Sequence, residues 1–257
     1  MSQRLLVSII IPTKDRKKKL ETCLRSIFSQ RYQQIKVIVV DNASSDATAN
    51  MIELLFPGVV YIYNNTNLGA AVAKNQGIKV ARGEYVWFLD SDSRVDNVFC
   101  LETMVTFLEV HDNIGSIGGE LQSISDNRIV CLVKYLLING QGKTEYFLPH
   151  EVILKDCDYC ATCNCFMRRK DIVNLGGFDP TYFYLCEDAD MGYCLKRIGK
   201  RNVCDYRTAV FHDVDLDCQR NYFLRLRNPL RLAIKNFPFL YVIILPFSFF
   251  SLIYLKV

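Results

Sequence analysis

The chain has 257 residues, half of them hydrophobic, and a formal net charge of +4 at pH 7. This length and apolar content can build one large globular domain, or one domain with an appendage, and they exclude an intrinsically disordered protein. The positive charge is spread along the chain except near its end, so the composition gives no indication of general nucleic-acid binding.

The chain contains eleven cysteines. Their odd number, in a chain too large to need disulfide crosslinks, favours a reducing compartment. The stretch 1–11 contains Arg4 and only a short apolar run before Pro12, which is too little for a signal peptide. We therefore expect the globular part of the chain to lie in the cytoplasm.

The first part of the chain alternates between apolar strands and amphipathic helices. Runs rich in branched and aromatic residues predict buried strands at 5–11, 35–40, 59–63 and 85–89. Apolar residues at helical spacing, as in the segment that ends near residue 28, predict a helix after each of the first three strands. This order of strands and helices is typical of a parallel sheet.

Acidic residues follow three of these strands. Asp15, Asp41 and Asp90 would meet at one edge of the sheet, because parallel strands joined by right-handed crossovers all end there. Asp90 and Asp92, separated by Ser91, could hold a divalent ion against a diphosphate, or they could merely start a turn and cap the next helix. The chain has no GxGxxG or P-loop sequence, so the convergence of acids favours a metal-assisted nucleotide site.

The pattern is less regular beyond a helix predicted at 96–109. Apolar runs such as 129–138 indicate strands whose partners the sequence does not identify. Four cysteines then have CxxC-like spacing: Cys157, Cys160, Cys163 and Cys165. A zinc site normally uses two separated pairs, whereas these lie within nine residues, so we interpret them as small apolar residues of a strand.

Two later segments carry candidate catalytic groups. Glu187, Asp188 and Asp190 open a helix predicted to run through Ile198, where acids complement the helix dipole. An aromatic run precedes them, and a carboxylate in such surroundings suits a general base. His212 follows a short apolar run, where histidine is more often structural, although neutral imidazole commonly joins carboxylates around manganese.

The C-terminal part combines basic and apolar residues. Asn228 and Pro229 are typical of a helix start, and four apolar residues would share one face of that helix: Leu230, Ala233, Ile234 and Phe237. Residues 237–255 carry no charge and could reach across a bilayer, although two prolines disfavour a straight span. The preceding basic cluster would hold this part at the cytoplasmic membrane face; the alternative is a hairpin buried on the domain.

Six segments in order resemble glycosyltransferase family 2 with the GT-A fold, particularly its rhamnosyltransferase-like members. They are Val7-Ser8-Ile9-Ile10-Ile11-Pro12-Thr13, Val39 to Asp46, Asn67-Leu68-Gly69 with Asn75-Gln76-Gly77, Phe88 to Asp92, Gly176-Gly177-Phe178-Asp179 and Glu187-Asp188-Ala189-Asp190. Each alone is weak, whereas the ordered set is highly specific and spans nearly the whole of residues 7–190.

The resemblance implies an α/β fold with a mixed, mostly parallel central sheet flanked by helices. Residues 1–219 would form the catalytic domain, with a nucleotide-sugar-binding half at 1–95 and an acceptor-binding half at 96–219. Residues 220–257 would form basic amphipathic and hydrophobic helices associated with the membrane. The implied activity is inverting transfer of a sugar from a UDP- or dTDP-sugar to a hydroxyl of a glycan or lipid-linked glycan, as in polysaccharide biosynthesis.

The resemblance also assigns residues to roles. Asp188 would be the general base, a role that Glu187 could share, and Mn²⁺ or Mg²⁺ would be bound by Asp92, His212 and Asp90. The implied nucleotide-sugar contacts are Pro12, Thr13, Asp15, Arg16, Asp41, Asn42, Lys74, Asn75, Asp90 and Ser91.

Two other classes of protein stay open at this point. A sugar-phosphate nucleotidyltransferase would also use an α/β sheet and metal-binding acids, but the segment 12–19 lacks the glycines of its basic loop. A catalytically inactive membrane-bound scaffold of the same fold would contain the same acidic residues without catalysing a reaction.

Overall fold

The computed structural model describes residues 5–123, 128–137, 141–148, 153–212 and 222–237. Its first elements are β1 (Val7–Thr13), α1 (Lys17–Phe28), β2 (Ile35–Asn42), α2 (Thr48–Leu55), β3 (Val60–Asn64), α3 (Ala70–Val80), β4 (Tyr85–Leu89), β5 (Ser93–Arg94) and α4 (Cys100–Val110). The later elements are β6 (Ile114–Gly118), β7 (Glu120–Ser123), β8 (Ile129–Leu136), β9 (Gly142–Phe147), β10 (Leu154–Cys157), β11 (Asn164–Arg168), α5 (Arg169–Asn174), α6 (Glu187–Arg197), β12 (Arg201–Asp205), a 3₁₀ turn at Tyr206–Thr208, β13 (Val210–His212) and α7 (Tyr222–Asn236).

The main sheet has eight strands in the order β10-β12-β6-β11-β4-β1-β2-β3. β1 pairs in parallel with both β2 and β4, and β2 pairs in parallel with β3, so the predicted parallel core is confirmed. Only β10 and β11 run antiparallel to the other strands of this sheet. The carboxyl ends of β1, β2 and β4 therefore meet at one edge, as the acids that follow them predicted.

Both faces of the main sheet are buried, which explains the continuous apolar strands. Successive side chains of a strand point to opposite faces, so Trp87 joins one core cluster and Phe88 the other. Leu24 of α1 packs on the first face, and small residues of α3 such as Ala73 pack on the second. Helices thus cover the sheet on both sides, as parallel strands require.

A second sheet, in the order β5-β13-β7-β8-β9, supplies the partners that the sequence left unplaced. β8 confirms the predicted strand near 129–138, and it pairs antiparallel with both β7 and β9. β13 pairs with β5 so that His212 lies opposite Ser93, the residue after Asp92. β13 also pairs with β7, which brings Glu120 opposite Val210. This small sheet therefore delivers a histidine and a glutamate to the end of β4.

The predicted start of the C-terminal helix is wrong. α7 begins at Tyr222, with Pro229 inside it, and Asn228 is a buried residue instead of a helix cap. The Asn228 amide donates to the backbone carbonyls of Tyr184 and Leu185, at 2.6 and 2.9 Å. This tertiary role overrides the local N-cap signal.

The residues that were predicted to share an apolar face of α7 differ in burial. Ala233 is buried together with Leu224 and Leu232, whereas Leu230 and Ile234 are 39% and 56% exposed. No helix among the described residues is long and apolar enough to cross a membrane. The uncharged stretch beyond Phe237 lies outside the described residues.

Candidate active site

A cleft of about 670 Å³ opens at the carboxyl end of β4, within the size range of small-ligand sites. The main sheet contributes Asp90, and the second sheet contributes Glu120 and His212. Glu187 and Asp188, at the start of α6, line the same cleft. The structure thus brings the predicted metal ligands and the predicted base into one site.

Asp90, Asp92 and His212 form a set of potential metal ligands whose donor atoms all lie within 4.8 Å of one another. The Nε2 atom of His212 is 3.3 Å from Oδ1 of Asp92 and 3.6 Å from Oδ2 of Asp90. Asp92 Oδ1 is buried and makes no hydrogen bond, as expected for an atom that faces a cation. Two carboxylates and an imidazole suit Mn²⁺ or Mg²⁺, so these residues fit the implied ion.

The charges around this set differ between the two aspartates. Burial would raise the pKa of Asp92, but the adjacent His212 and an ion pair with Arg16 lower it below its usual value. Burial raises the pKa of Asp90, although Lys74 and His212 oppose the shift. Burial disfavours the charged imidazole, but Asp92 and Glu120 raise the pKa of His212 to about 10. Without a metal ion, a proton on His212 therefore balances part of the negative charge.

Arg16 was predicted to contact the nucleotide sugar, and the structure places it at the edge of the metal set. Its guanidinium makes an ion pair with Oδ2 of Asp92. The other carboxylate oxygen of Asp92 faces His212. Arg16 therefore helps to orient Asp92.

Sequence reasoning missed Glu120 and Lys134. The Oε1 atom of Glu120 is 3.2 Å from His212 Nδ1, and its Oε2 atom is 3.1 Å from the ammonium of Lys134. Burial would raise the pKa of Glu120, but His212 and Lys134 lower it below its usual value. One signal in the sequence could have identified Glu120: it is a carboxylate that follows an apolar run and two glycines. Asp41 and Asp90 were identified because they also follow apolar strands.

Asp188 has the properties of a general base. It is half-buried at the start of α6, and one carboxylate oxygen accepts a 2.7 Å hydrogen bond from the Ala189 amide. Burial and the neighbouring Glu187 raise the pKa of Asp188 to about 7. A base with such a pKa is ionised in part at neutral pH and can still take a proton.

Lys74 lines the cleft, and protein groups hold its ammonium. Its ammonium is buried and lies 2.7 Å from Glu187 and 2.5 Å from the hydroxyl of Thr162, so its hydrogen bonds are directed to the protein. Lys74 therefore balances the charge of Glu187, and its contact with the nucleotide or phosphates stays a prediction. This ion pair engages one carboxylate oxygen of Glu187, which disfavours Glu187 as the base.

Asn75 and Asn42 are also engaged within the protein. The Asn75 amide exchanges two hydrogen bonds with the backbone of Phe178, at 2.7 and 2.8 Å, and so holds the Gly176–Phe178 turn. The Asn42 amide donates to the Gly69 carbonyl and accepts from Asn64. Both positions therefore hold loops at this end of the sheet, and their contact with a donor stays a prediction.

Asp41 and Asp15 lie at the predicted sheet edge but differ in exposure. Asp41 is fully buried and accepts from the Tyr61 hydroxyl at 2.6 Å and the Ser44 amide at 2.8 Å. Asp15 is exposed, in a left-handed backbone conformation, and bonds with Lys14 and Ser45 hold its pKa below the usual value. Asp15 is thus accessible to a nucleotide, whereas Asp41 acts by fixing the loop beneath it.

The other predicted donor contacts lie beside β1 and β4. The Thr13 hydroxyl is buried and has no hydrogen-bond partner, which leaves a polar atom available at the end of β1. Pro12 is half-buried on the same strand, and Ser91, between Asp90 and Asp92 in the sequence, is buried.

The cysteine segment supports the packing interpretation. Cys157, Cys160 and Cys165 belong to the buried core on the second face of the main sheet. The ten cysteines in the described part of the chain are free thiols, and no three of them converge there as a metal site. Cys163 differs from the other three cysteines of this segment, because its sulfur lies within 4.8 Å of potential ligand atoms of Glu120 and His212.

Comparison with known proteins gives this site a family context. The sequence profile described as Glycosyl transferase family 2 matches residues 8–176. The glycosyltransferase GlyG of Streptococcus pneumoniae is 37% identical over 93 residues, which cover 35% of this chain and 31% of that protein. WfaP of Escherichia coli, a UDP-Glc:alpha-D-GlcNAc-diphosphoundecaprenol beta-1,3-glucosyltransferase, is 40% identical over 88 residues, which cover 34% of this chain and 35% of that protein. The matched part spans about a third of either relative.

Among solved structures, the chain is similar to the mannosyltransferase PcManGT from Pyrobaculum calidifontis, solved in complex with GDP-Man and Mn²⁺. The TM-score is 0.68 at 18% identity, and the match covers 92% of this chain and 66% of that chain. This likeness confirms the GT-A arrangement of sheet and helices. The rhamnosyltransferase-like subgroup stays a prediction. The profile match over more than half of the sequence shows that the chain belongs to glycosyltransferase family 2.

Proposed function

We propose that this chain transfers a sugar from a nucleotide-diphosphate sugar to a hydroxyl of a glycan or lipid-linked glycan, with inversion at the anomeric carbon. The observation that carries the proposal is that separate elements present Asp90 and His212, two members of the Asp90–Asp92–His212 set, to the same cleft as Asp188. In this assignment, residues 1–95 form the donor half and 96–219 the acceptor half.

Asp92, His212 and Asp90 would hold Mn²⁺ or Mg²⁺. A bound ion would stabilise the negative charge that develops on the departing diphosphate. Arg16, which is ion-paired with Asp92, lies where it can add a second positive charge to that region. PcManGT, which is similar in fold, was solved with both a nucleotide sugar and Mn²⁺, and this supports the choice of ion.

Asp188 would act as the general base. Its carboxylate accepts the proton of the acceptor hydroxyl while the oxygen attacks the anomeric carbon, and the bond from that carbon to the diphosphate oxygen breaks. A single attack from the opposite side inverts the configuration. The pKa of about 7 matches this task, and the Lys74–Glu187 ion pair leaves Asp188 as the better base of the two.

The nucleotide would lie over the ends of β1 and β2, near Thr13, Pro12 and the exposed Asp15. The name of WfaP includes a UDP-sugar donor and an acceptor linked to diphosphoundecaprenol, and this supports a UDP- or dTDP-sugar and a lipid-linked acceptor. An acceptor glycan would approach Asp188 past α7, whose residues Arg225 and Pro229 line the same cleft.

The C-terminal part would bind the cytoplasmic face of the membrane. Four exposed apolar residues follow one side of α7: Phe223, Leu226, Leu230 and Ile234. Arg227 and Arg231 flank this side, and an uncharged stretch follows α7 in the sequence. Apolar side chains beside arginines suit an anionic lipid surface. Arg225 and Pro229 of the same helix line the cleft, so membrane binding would place the site near a lipid-linked acceptor.

The proposed activity is tested with purified protein, Mn²⁺ and a panel of UDP-, dTDP- and GDP-sugars. We expect release of a nucleoside diphosphate from one donor class, and its loss in Asp188→Asn and Asp92→Asn when an acceptor is present. Release of pyrophosphate from a nucleoside triphosphate and a sugar phosphate would indicate a nucleotidyltransferase instead. No turnover with any donor, in a folded protein that binds Mn²⁺, would favour the inactive scaffold.

A further inference from the structure

We propose that Glu120 is a positioning residue that fixes the tautomer and the ring orientation of His212, so that Nε2 faces the metal ion. This inference rests on the proposed role of His212 as a metal ligand. The residues at issue come from three neighbouring strands of the second sheet, β7, β8 and β13.

The imidazole of His212 stands between two acidic groups. Its Nδ1 atom is 3.2 Å from Glu120 Oε1, and its Nε2 atom is 3.3 Å from Asp92 Oδ1. A neutral imidazole carries one hydrogen, on one of its two nitrogens. If Nδ1 donates that hydrogen to Glu120, the lone pair of Nε2 is free and points toward Asp90 and Asp92. Histidine ligands of metals commonly donate their other N–H to a carboxylate in this way.

Glu120 is itself held in place from its other side. Its Oε2 atom is 3.1 Å from the ammonium of Lys134, which projects from β8. The two strands are hydrogen-bonded, with Glu120 opposite Leu132. Both carboxylate oxygens therefore have a partner on a strand of the same sheet, and the side chain is buried. A carboxylate with two such partners has little freedom to turn toward another ligand.

The contact with Lys134 favours a positioning role for Glu120 over direct metal binding. The ligand atoms of Glu120, Cys163 and His212 lie within 4.8 Å of one another, so they could in principle form a second metal set. The ammonium at Glu120 already supplies a positive charge to that carboxylate. A divalent ion beside it would be repelled, whereas the Asp90–Asp92 side of His212 offers two carboxylates and an unbonded oxygen.

Loss of Glu120 should therefore weaken metal binding without removing a ligand. In Glu120→Gln, the amide oxygen can still accept from Nδ1, but the amide can also turn and donate to it, which favours the hydrogen on Nε2. The Nε2–H tautomer cannot bind a cation at that atom. Removal of comparable supporting groups weakens metal affinity about 10- to 100-fold.

The experiment is a Mn²⁺ titration followed by the EPR signal of free Mn²⁺, in the absence of donor and acceptor. The variants are Glu120→Gln, His212→Ala and the double mutant, with Glu145→Gln as the control from the neighbouring strand β9. We expect Glu120→Gln to raise the Mn²⁺ dissociation constant about 10- to 100-fold and the control to leave it unchanged. In the His212→Ala background, Glu120→Gln should have no further effect, because it acts through the imidazole.

The outcomes separate the inference from the proposal on which it rests. If His212→Ala binds Mn²⁺ as tightly as the wild type, the ligand role of His212 is wrong, and the inference falls with it. If His212→Ala weakens binding but Glu120→Gln does not, or if the two losses add, only the positioning role is wrong. Added losses would indicate that Glu120 binds the ion directly.

A second variant distinguishes the loss of positioning from a folding defect. Glu120→Gln leaves the Lys134 ammonium without its buried carboxylate, so Glu120→Gln combined with Lys134→Met removes both charges of the pair. The circular dichroism spectrum establishes that each variant is folded. We expect the combined variant to show the same loss of Mn²⁺ affinity as Glu120→Gln, and wild-type affinity in the folded combined variant would overturn the inference.

Discussion

Replacement of the proposed base by its amide should separate catalysis from stability. Asp188→Asn keeps the size and shape of the side chain, and the amide oxygen can still accept from the Ala189 backbone N–H. The variant cannot take the proton of an acceptor hydroxyl. A general base contributes about 10²- to 10⁴-fold to a rate, so we expect kcat for sugar transfer to fall by that factor.

The same substitution should stabilise the protein above neutral pH. Burial and Glu187 raise the pKa of Asp188 from an ordinary value of 3.8 to about 7 in the folded chain. The folded state therefore holds this proton more tightly than the unfolded state, and stability is lost as the pH rises from about 4 to about 7. The shift corresponds to at most about 4 kcal/mol at pH 8, with the partial exposure of the side chain reducing it. Asparagine carries no charge and avoids this loss.

The assays are a pH–rate profile and urea unfolding at pH 8 and pH 4. For the wild type, kcat/KM should be half-maximal near pH 7 and fall about tenfold per pH unit below it. Asp188→Asn should be more stable than the wild type at pH 8 and nearly equal to it at pH 4. Wild-type turnover in the variant, or a loss of stability at pH 8, would refute the reasoning.

Three further substitutions test other parts of the site and the fold. Asp92→Asn should weaken Mn²⁺ binding and lower donor turnover by at least about 100-fold, as measured by EPR titration and nucleoside diphosphate release, since it removes a charged ligand. Lys74→Met leaves Glu187 buried and unpaired, so the free energy of unfolding in urea should fall by about 3–5 kcal/mol. The pH–rate profile of this variant should move to higher pH, because a positive charge near Asp188 is lost. Gly77→Ala should destabilise the fold by about 1–3 kcal/mol in urea, because the new Cβ would lie 2.4 Å from Ile10.

Each of these substitutions has a matched control. Asp96→Asn changes an exposed acid near Asp92, and Lys79→Met changes an exposed lysine on α3, the helix that carries Lys74. Gly58→Ala introduces a Cβ with no atom within 4 Å. We expect all three controls to keep wild-type turnover and wild-type stability in urea. A control that lost as much as its test variant would show that the effect does not arise from the proposed contact.

The sequence predicted the donor side of the site because its signals are local. β4 is an apolar run that ends directly in Asp90 and Asp92, and β1 and β2 end in the same manner before Asp15 and at Asp41. Each signal lies within about ten residues, and the right-handed crossover rule then joins them at one edge. His212 could be proposed only as a residue after an apolar run, because the pairing of β13 with β5 is a long-range contact.

The sequence did not reveal contacts between residues that are distant in the chain. Lys74 lies in a small-residue helix that matches a nucleotide motif, but its ion pair with Glu187, 113 residues away, has no local signal. Asn228 followed by proline has the local signature of a helix start, yet its amide holds the Tyr184–Leu185 turn 43 to 44 residues earlier. Glu120 was overlooked because its contact with His212 depends on the pairing of β7 with β13. In each case tertiary contacts outweigh a local preference.

The central claim is that sugar transfer depends on a divalent ion held by Asp92 and His212. The most direct measurement is nucleoside diphosphate release by wild-type protein treated with EDTA and then titrated with Mn²⁺, beside Asp92→Asn and His212→Ala. The account predicts that EDTA abolishes release, that Mn²⁺ restores it in a saturable manner, and that both variants need much more Mn²⁺ or stay inactive. Release that persists undiminished in EDTA, or that responds to Mn²⁺ equally in all three proteins, would contradict it.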